Sequence, residues 1–341
     1  MRILIEAIGS NEIPELLTAL CQFANPPIHE LVDDPRSAEL ILFCGSWAME
    51  GKIREVTSHP YVQTFRGKCV AYSDDDFYLP LLPGVYCSPE QGFSTRTGRV
   101  VSYAYIARHA QKGNPFVRDV NEHRQKDLLF SFQGASTSFL RKRLFRISIE
   151  RGDALVEDTS AHANWLSTDT TIARQQAFVD TMLRSHFALC PRGAGTGSFR
   201  LFEAMRLGVA PVLLSDKYVL PNGPDWDSFL IRIPESQIAD LSNILEARRS
   251  ESLKRGKQAR AAWVQWFDRD KEFNRIVGLC QEARESSLRF EAIYRACWPI
   301  IIWKHSAGRS IRKNVRTALL RFLKATGLRF PYSLRGQDAK H

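Results

Sequence analysis

The residues best suited to chemistry lie together in the segment 185–216. An apolar run of strand type, Ser185–Cys190, leads into a glycine loop, Pro191–Gly197. A helical pattern then opens at Ser198, and a second apolar run covers Val209–Leu214. Strand, glycine loop, helix and strand make one βαβ unit. A glycine loop that enters a helix presents bare backbone N–H groups at the positive end of the helix dipole, so this segment predicts an anion site.

Three glycines and two arginines favour phosphate as the anion. Gly193, Gly195 and Gly197 carry no side chain, which lets phosphate oxygens approach the backbone closely. Arg192 in the loop and Arg200 in the first turn of the helix add positive charge. We therefore expect this loop to bind the phosphate groups of a nucleotide.

A carboxylate stands on the same helix, one turn further along. Glu203 follows Arg200 by three residues, so the two side chains share one face of the helix. Glu203 is suited to accept hydrogen bonds from a ribose diol while Arg200 reaches the diphosphate. The alternative is an ordinary arginine–glutamate pair on a solvated helix face.

The motifs in this region resemble those of the exostosin family of glycosyltransferases. The matching stretches are Ser185–Gly193, Ser198–Ala204, Gly208–Val212 and Ser215–Asp216, in the family's order and spacing. The resemblance is firm over about residues 125–230 and looser over 60–90. It implies an α/β fold of the GT-B type, in which two Rossmann-like domains face a cleft, and it places the matched region in the donor-nucleotide half of the second domain.

A second stretch of the family pattern precedes the glycine loop. Lys126–Gly134 is a predicted strand ending in glycine, and a basic segment predicted to be helical follows over Ser138–Ile149. In the family, a basic segment at this place faces the donor phosphates. Carried over to this chain, Arg141 is the best placed arginine and Arg143 the second. An ordinary basic helix face is the alternative for both.

The resemblance therefore implies a full set of donor-binding residues. Ser215 and Asp216 belong to this set, although they could simply cap the next turn. The set is Arg141, Arg143, Arg192, Gly193, Gly195, Gly197, Ser198, Arg200, Glu203, Ser215 and Asp216. The ligand implied is a nucleotide sugar, most simply a UDP-sugar, as co-substrate. No cofactor and no metal are expected, because arginines and a helix N-terminus can stabilise the departing diphosphate.

The acceptor hydroxyl requires a base in the opposite domain. The cluster Asp74, Asp75 and Asp76 is the obvious candidate, and Asp76 is preferred because it lies nearest the following Pro/Gly loop. Two other interpretations stay open. The cluster could be a solvated acidic turn, or its Asp-x-Asp spacing could hold a divalent cation.

These groups must be positioned by two α/β domains and an extension. Predicted strands and helices alternate from Ile3 to Tyr72 and again from Asp127 onwards, with a polar stretch between. We place an N-terminal acceptor domain at 1–115, a donor domain at 116–290 and a helical basic extension at 291–341. In GT-B enzymes the last helices return to the first domain, and residues 270–300 are the candidates here.

Composition and charge are those of a globular protein with a basic tail. The 341 residues carry a net charge of +10, and ten Lys and Arg residues follow Ile302 against a single acidic residue. Apolar residues recur at helical spacing between Arg309 and Lys324, so this segment predicts an interfacial helix on an anionic membrane. Packing of that helix on the protein is the alternative. No nucleic-acid partner is expected. The seven cysteines form no metal-ligand pattern.

Together these features predict an inverting hexosyltransferase that builds cell-surface polysaccharide on a glycan or lipid-linked saccharide acceptor. The chain begins with a strand and shows no signal segment, so we expect a cytoplasmic enzyme, peripheral on the inner face of the membrane. One alternative is a non-catalytic nucleotide-binding or membrane adaptor. The other is a dinucleotide-dependent oxidoreductase, which is disfavoured because the G-x-G-x-x-G pattern would need glycine or alanine where Ser198 stands.

Overall fold

The structure is a computed structural model that describes residues 1–106, 113–118, 124–149, 151–162 and 169–303. The predicted amphipathic helix at 309–324 lies outside the described residues. Contacts divide the chain after Phe290. Residues 1–290 contain both sheets, and a helix, Glu291–Ala296, begins the next unit. No helix in the described part of the chain is both long and apolar enough to cross a membrane.

The first half of the chain forms a parallel sheet whose strands are apolar and buried. Among the described residues it has six strands in the order β2-β1-β3-β4-β5-β6. They are β1 (Arg2–Ile8), β2 (Glu30–Leu31), β3 (Leu40–Gly45), β4 (Cys69–Ser73), β5 (Gly84–Tyr86) and β6 (Val100–Ser102). Every residue of β3 and β4 is buried, as expected for central strands covered on both faces. The helices of this half are α1 (Glu12–Phe23), α2 (Ile53–Thr57), α3 (Pro60–Thr64) and α4 (Phe93–Arg96).

The second half forms another parallel sheet, with five strands in the described residues. Their order is β11-β10-β9-β7-β8. They are β7 (Leu128–Gly134), β8 (Ala154–Asp158), β9 (Ser185–Pro191), β10 (Ala210–Leu214) and β11 (Ile231–Arg232). The helices are α5 (Phe139–Leu144), α6 (Asp169–Arg184), α7 (Phe199–Leu207), α8 (Trp226–Phe229), α9 (Leu241–Glu246), α10 (Ser252–Trp266), α11 (Arg269–Ser287) and α12 (Glu291–Ala296). Two wound parallel sheets confirm the predicted α/β class.

Helix α11 returns from the second sheet to the first. It follows α10 in sequence, yet it packs on β4, β5 and β6 and against α1. The Cys280 thiol donates to the Ala71 carbonyl at 3.4 Å, which fixes the contact with β4. The expected return of a late helix to the first sheet is thus observed within the predicted segment. The boundary at 115/116 falls between β6 and β7, and the division into domains there stays a prediction.

One local expectation was wrong. The helix predicted from Ser138 to Ile149 ends at Leu144, because the following apolar side chains turn into the second core instead of continuing a helical face. Phe145 stacks on Phe132 there at 5.7 Å between ring centroids. The sequence also predicts a loop from Ser73 to Gly84, and the structure agrees except at the two ends, because Ser73 closes β4 and Gly84 opens β5. Gly84 lies so close to β4 that a Cβ would be 2.2 Å from the Ala71 carbonyl oxygen, which explains why glycine stands in a strand.

Candidate functional site: a donor loop facing an acidic cleft

The glycine loop lies between β9 and α7, where the sequence predicted it. Ser198 has extended dihedral angles and precedes the first turn of α7. Its hydroxyl is buried and has no hydrogen-bond partner among the described residues. Gly208 ends the helix with a φ of 68°, the left-handed conformation that glycine adopts without strain. The strand, loop, helix and strand order of the segment is therefore confirmed.

Two of the loop glycines permit close packing against the first half of the chain. A Cβ at Gly195 would lie 2.1 Å from the Ser88 hydroxyl oxygen, and one at Gly197 would lie 2.8 Å from the Tyr105 hydroxyl. The Gly197 N–H donates to Ser88 at 3.0 Å. These contacts join the donor loop to the loops after β5 and β6. Phosphate binding by Gly195 and Gly197 stays a prediction.

Gly193 faces the other way, toward α5. A Cβ there would meet the Arg141 guanidinium and the Thr137 hydroxyl at 3.6 Å, an ordinary contact distance. Gly193 donates to the Gly197 carbonyl at 3.3 Å, which closes the loop on itself. Of the three glycines, Gly193 is therefore the one that borders the arginine cluster.

Arg141 is a cation held by backbone carbonyls. Its three bonded N–H groups donate to the carbonyl oxygens of Ala135, Pro191 and Arg192, each at 3.1 Å. Burial, followed by the nearby Arg200 charge, lowers the pKa of Arg141 to about 10, and Asp76 opposes this shift. The carbonyls orient the guanidinium without neutralising it, so the site keeps a positive charge between two βα loops.

Arg200 and Glu203 share one helix face, as their spacing predicted, and they form the ion pair of the alternative interpretation, but in a largely buried setting. Arg200 donates to one Glu203 carboxylate oxygen and, at 2.9 and 3.2 Å, to the Gln133 carbonyl at the end of β7. Its guanidinium also lies 4.1 Å from the centroid of the Phe178 ring. The side chains of Arg200 and Glu203 are 15% and 9% exposed, so the solvated-face alternative does not describe them. The other Glu203 oxygen has no hydrogen bond to the described residues and is available to a ligand.

The remaining predicted residues are spread around this centre. Arg192 forms a two-pronged ion pair with Glu235, with N–O distances of 2.8 and 3.3 Å. Asp216 accepts from the Glu235 backbone N–H at 3.0 Å, and Ser215 is fully buried and donates to the Thr196 carbonyl at 2.8 Å. These contacts give Ser215 and Asp216 structural partners on the rim of the loop.

Arg143 does not join the cluster through any contact among the described residues. It is exposed on the same short helix as Arg141. Its proposed reach toward the phosphates therefore stays a prediction, whereas Arg141 and Arg200 are brought together by the fold.

A cleft of about 250 Å³ opens beside Asp76 and Tyr105. It lies at the carboxyl ends of β1, β3 and β4, the edge at which parallel α/β sheets bind ligands. The first residue of α7 completes its wall. The lining includes four carboxylates and two aromatic rings: Glu12, Glu50, Asp74, Asp76, Tyr105 and Phe199. The cleft thus brings the predicted base region of the first sheet to the donor helix of the second.

The aspartate cluster divides into two roles. Asp75 is 3% exposed and accepts backbone N–H groups of Met49 and Phe77, both at 2.8 Å. Asp74 and Asp76 line the cleft. The solvated-turn interpretation does not fit a cluster whose central member is buried. Among the described residues, no group of three or more His, Cys, Asp or Glu side chains is placed to hold a metal ion.

Asp76 lies within the electrostatic reach of Arg141. Burial raises its pKa, while a hydrogen bond from Tyr105 and the Arg141 charge act in the opposite direction. The Tyr105 hydroxyl donates to Asp76 Oδ1 at 3.1 Å. A partly buried carboxylate with a raised pKa is a stronger base than a fully solvated one, as a general base requires.

Sequence reasoning missed several members of this site. Tyr105 follows β6, whose three residues are too short for a periodic signal. Glu235 lies in the turn after β11, and Gln133 contributes through its backbone carbonyl, which any residue type carries. Only the position of Tyr105 at the end of an apolar run could have drawn attention to it.

Comparison with known proteins gives the family. The exostosin GT47 domain matches residues 91–248. Bovine (Bos taurus) exostosin-2 is 32% identical over 152 residues, which are 41% of this chain and 20% of that protein. The exostosin-1 homolog of Caenorhabditis elegans is 39% identical over 91 residues, 26% of this chain and 23% of its own length. A probable glucuronosyltransferase of Oryza sativa subsp. japonica is 33% identical over 96 residues, 28% of this chain and 23% of that one. The chain thus spans about a fifth of the length of these relatives.

Solved structures with a similar outline include two glycosyltransferases. MurG of Acinetobacter baumannii aligns over 82% of this chain and 99% of its own, with 9% identity and a TM-score of 0.34. An α1,3-fucosyltransferase aligns over 84% and 90%, with 9% identity and a TM-score of 0.38. The fold class rests on the two parallel sheets, which have the arrangement expected of a GT-B protein. Residues 91–248 of this chain thus match the exostosin GT47 domain, and the similar stretches of exostosin-2 and of the exostosin-1 homolog agree with that match.

Proposed function

We propose that this protein is a glycosyltransferase that moves a sugar from a nucleotide-sugar donor to a saccharide acceptor. One observation carries the proposal. Arg141 of α5 and Arg200 of α7 are close enough for their charges to interact, and Arg141 interacts in turn with Asp76 from the first sheet. A positive site for a departing diphosphate and a base for an incoming hydroxyl therefore meet at one cleft.

The donor side stabilises the negative charge that develops on the nucleoside diphosphate. Arg141 is oriented by three carbonyls and Arg200 by the Gln133 carbonyl, so neither needs to reorganise when charge appears. The unpartnered Ser198 hydroxyl stands at the N-terminus of α7, where the helix dipole adds its positive end. The available Glu203 oxygen accepts a hydrogen bond from a ribose hydroxyl.

The acceptor side supplies the nucleophile. Asp76 takes the proton of the acceptor hydroxyl as that oxygen bonds to the anomeric carbon of the donor sugar. The bond from the anomeric carbon to the diphosphate oxygen breaks, and the electron pair leaves with the diphosphate beside Arg141 and Arg200. A single displacement of this kind inverts the anomeric centre.

The finer assignments are part of the proposal. A UDP-sugar is the expected donor, and the probable glucuronosyltransferases among the relatives make a uronic acid the first sugar to try. A glycan or a lipid-linked saccharide of a cell-surface polysaccharide is the expected acceptor. We place the enzyme in the cytoplasm, on an anionic membrane surface through residues 309–324, and expect no nucleic-acid partner.

Calorimetric titration with UDP tests the donor site. Arg200→Ala removes a charge-assisted phosphate contact, so we expect the binding free energy to weaken by about 1.5–3 kcal/mol. Glu203→Ala should weaken UDP binding through the ribose. Arg146→Ala is the matched control, since Arg146 is exposed in the segment after α5 and is not part of the site. Unchanged UDP affinity in both Arg200→Ala and Glu203→Ala, with folded protein, would place the donor site elsewhere.

Turnover separates the enzyme from an adaptor of the same fold. A panel of UDP-, GDP-, CMP- and dTDP-sugars should show thermal stabilisation by one nucleotide class. With a saccharide acceptor present, that class should release its free nucleotide, which is CMP for a CMP-sugar and a nucleoside diphosphate for the others. Nucleotide binding without turnover on any saccharide acceptor would favour the non-catalytic adaptor.

A further inference from the structure

Tyr105 occupies the junction between the two halves of the cleft. Its side chain is buried, and its hydroxyl donates to Asp76 Oδ1 at 3.1 Å. Its ring stacks on Phe199, the first residue of α7, with 4.5 Å between centroids and 24° between planes. One side chain thus contacts both the carboxylate of the first sheet and the donor helix of the second.

The surroundings fix this tyrosine tightly. The Ser88 hydroxyl also hydrogen-bonds to the Tyr105 hydroxyl, and the same Ser88 oxygen accepts the Gly197 N–H at 3.0 Å. At Gly197 itself, a Cβ would come within 2.8 Å of the Tyr105 oxygen. The glycine loop therefore encloses the phenol, and the absence of a side chain at Gly197 leaves the space that the hydroxyl needs.

We propose that Tyr105 is a positioning residue, which orients the Asp76 carboxylate and holds it in register with the donor helix. The proposal rests on the proposed function, in which Asp76 is the base. Tyr105 takes no direct part in the transfer. Its contribution is made through Asp76, by fixing one carboxylate oxygen and leaving the other directed to the acceptor.

The charged groups around Asp76 determine how the loss of the Tyr105 hydroxyl changes the pKa of Asp76. Tyr105 and Arg141 favour the ionised carboxylate, whereas burial disfavours it. The neighbouring Asp75 and the other carboxylates of the cleft, Glu12, Glu50 and Asp74, add negative charge. Burial also raises the pKa of Tyr105 well above its ordinary value, so the phenol stays protonated and remains a donor. Loss of the hydroxyl removes a group that favours ionisation, and the pKa of Asp76 then rises.

The pH dependence of kcat for Tyr105→Phe tests the role. The substrate is the nucleotide sugar that turns over fastest in the panel above. The variant keeps the ring stacked on Phe199 and loses only the hydroxyl. We expect kcat to fall about tenfold, the donor KM to stay within about twofold, and the acid limb of the profile to move up by about one pH unit. Tyr103→Phe is the matched control, because the Tyr103 hydroxyl donates to the Trp266 carbonyl at 2.9 Å and takes no part in the cleft.

Three outcomes would overturn the proposal, and each of them bears on a different assignment. An acid limb that stays in place in Tyr105→Phe, while Asp76→Asn is inactive, removes the role of Tyr105 but keeps Asp76 as the base. Full activity in Asp76→Asn removes both assignments. An equal shift of the acid limb in Tyr103→Phe shows that any loss of a buried phenol produces the effect. Circular dichroism and the melting temperature confirm that each variant is folded.

Discussion

At the scale of single residues, the site combines charges that the fold leaves only partly compensated. Arg141 is bonded to carbonyls, Arg200 shares its charge with Glu203, and Asp76 keeps its carboxylate in a partly buried cleft. The neighbouring Asp75 has a different task, since its two oxygens hold the backbone of Met49 and Phe77. Asp75 thus stabilises the structure, whereas the adjacent Asp76 has the proposed chemical role.

Asp75 should make stability depend on pH in a defined direction. Burial raises the pKa of its carboxyl to about 6, above the value of 3.8 that it has when unfolded. The stability that this group contributes is therefore fully present below pH 3.8 and is lost as the pH rises through about 6. The unfolding free energy of the wild type minus that of Asp75→Asn should fall by on the order of 3 kcal/mol between pH 4 and pH 7. Urea titrations at both values measure this, and a constant difference would contradict it.

At the scale of elements, two glycines in helices differ in how closely a neighbouring helix packs on them. Gly256 of α10 lies against the end of α7, where a Cβ would be 2.3 Å from the Gly208 carbonyl oxygen. Gly278 of α11 has no atom within 4 Å of the position that a Cβ would take. Small size is therefore required at Gly256 for helix packing, and nothing in the packing requires it at Gly278.

The two positions make a matched pair of substitutions. Gly278→Ala should stabilise the protein by about 0.5–1 kcal/mol, because alanine loses less backbone entropy in a helix. Gly256→Ala should destabilise it by about 1–3 kcal/mol, since the methyl group forces α10 away from α7. Chemical denaturation of both variants measures the difference. Equal effects at the two sites would mean that α10 and α7 are not in close contact.

At the scale of the whole molecule, the sequence predicted most of the second half and less of the first. The strands β7, β9 and β10 and helix α7 are continuous apolar or amphipathic runs, and their predicted positions agree with the structure within two residues or so. Strands β5 and β6 have three residues each, too few for a periodic pattern. Ser88 and Tyr105 follow these two strands in the sequence. The residues that contact the glycine loop from the first half therefore belong to the segments that were hardest to predict.

The same contrast applies to the candidate site. The motif residues Arg141, Arg200 and Glu203 could be named because charge and spacing point to phosphate chemistry. The contacts of Gly195 and Gly197 with Ser88 and Tyr105 depend on how two sheets separated by many residues meet. No local pattern encodes that approach, because each partner is an ordinary residue in its own segment.

The basic tail gives a prediction for the full chain that the described residues leave untested. Ten Lys and Arg residues lie between Lys304 and His341, and each contributes about 1 kcal/mol of attraction near an anionic leaflet at low salt. The full-length protein should sediment with phosphatidylserine vesicles at low salt, and a chain truncated at Ser306 should not. Vesicles without anionic lipid are the control. Equal sedimentation of the truncated chain would remove the tail from membrane binding.

The central claim is that arginines and a helix N-terminus carry nucleotide-sugar transfer at this cleft without a divalent cation. The most direct measurement is release of free nucleoside diphosphate from the sugar-nucleotide panel, with saccharide acceptors present and excess EDTA added. We expect turnover of one nucleotide sugar that persists in EDTA and falls by about tenfold or more in Arg200→Ala. Turnover that disappears in EDTA and returns with manganese would assign Asp74 and Asp76 to a metal, and no turnover of any nucleotide sugar would contradict the claim itself.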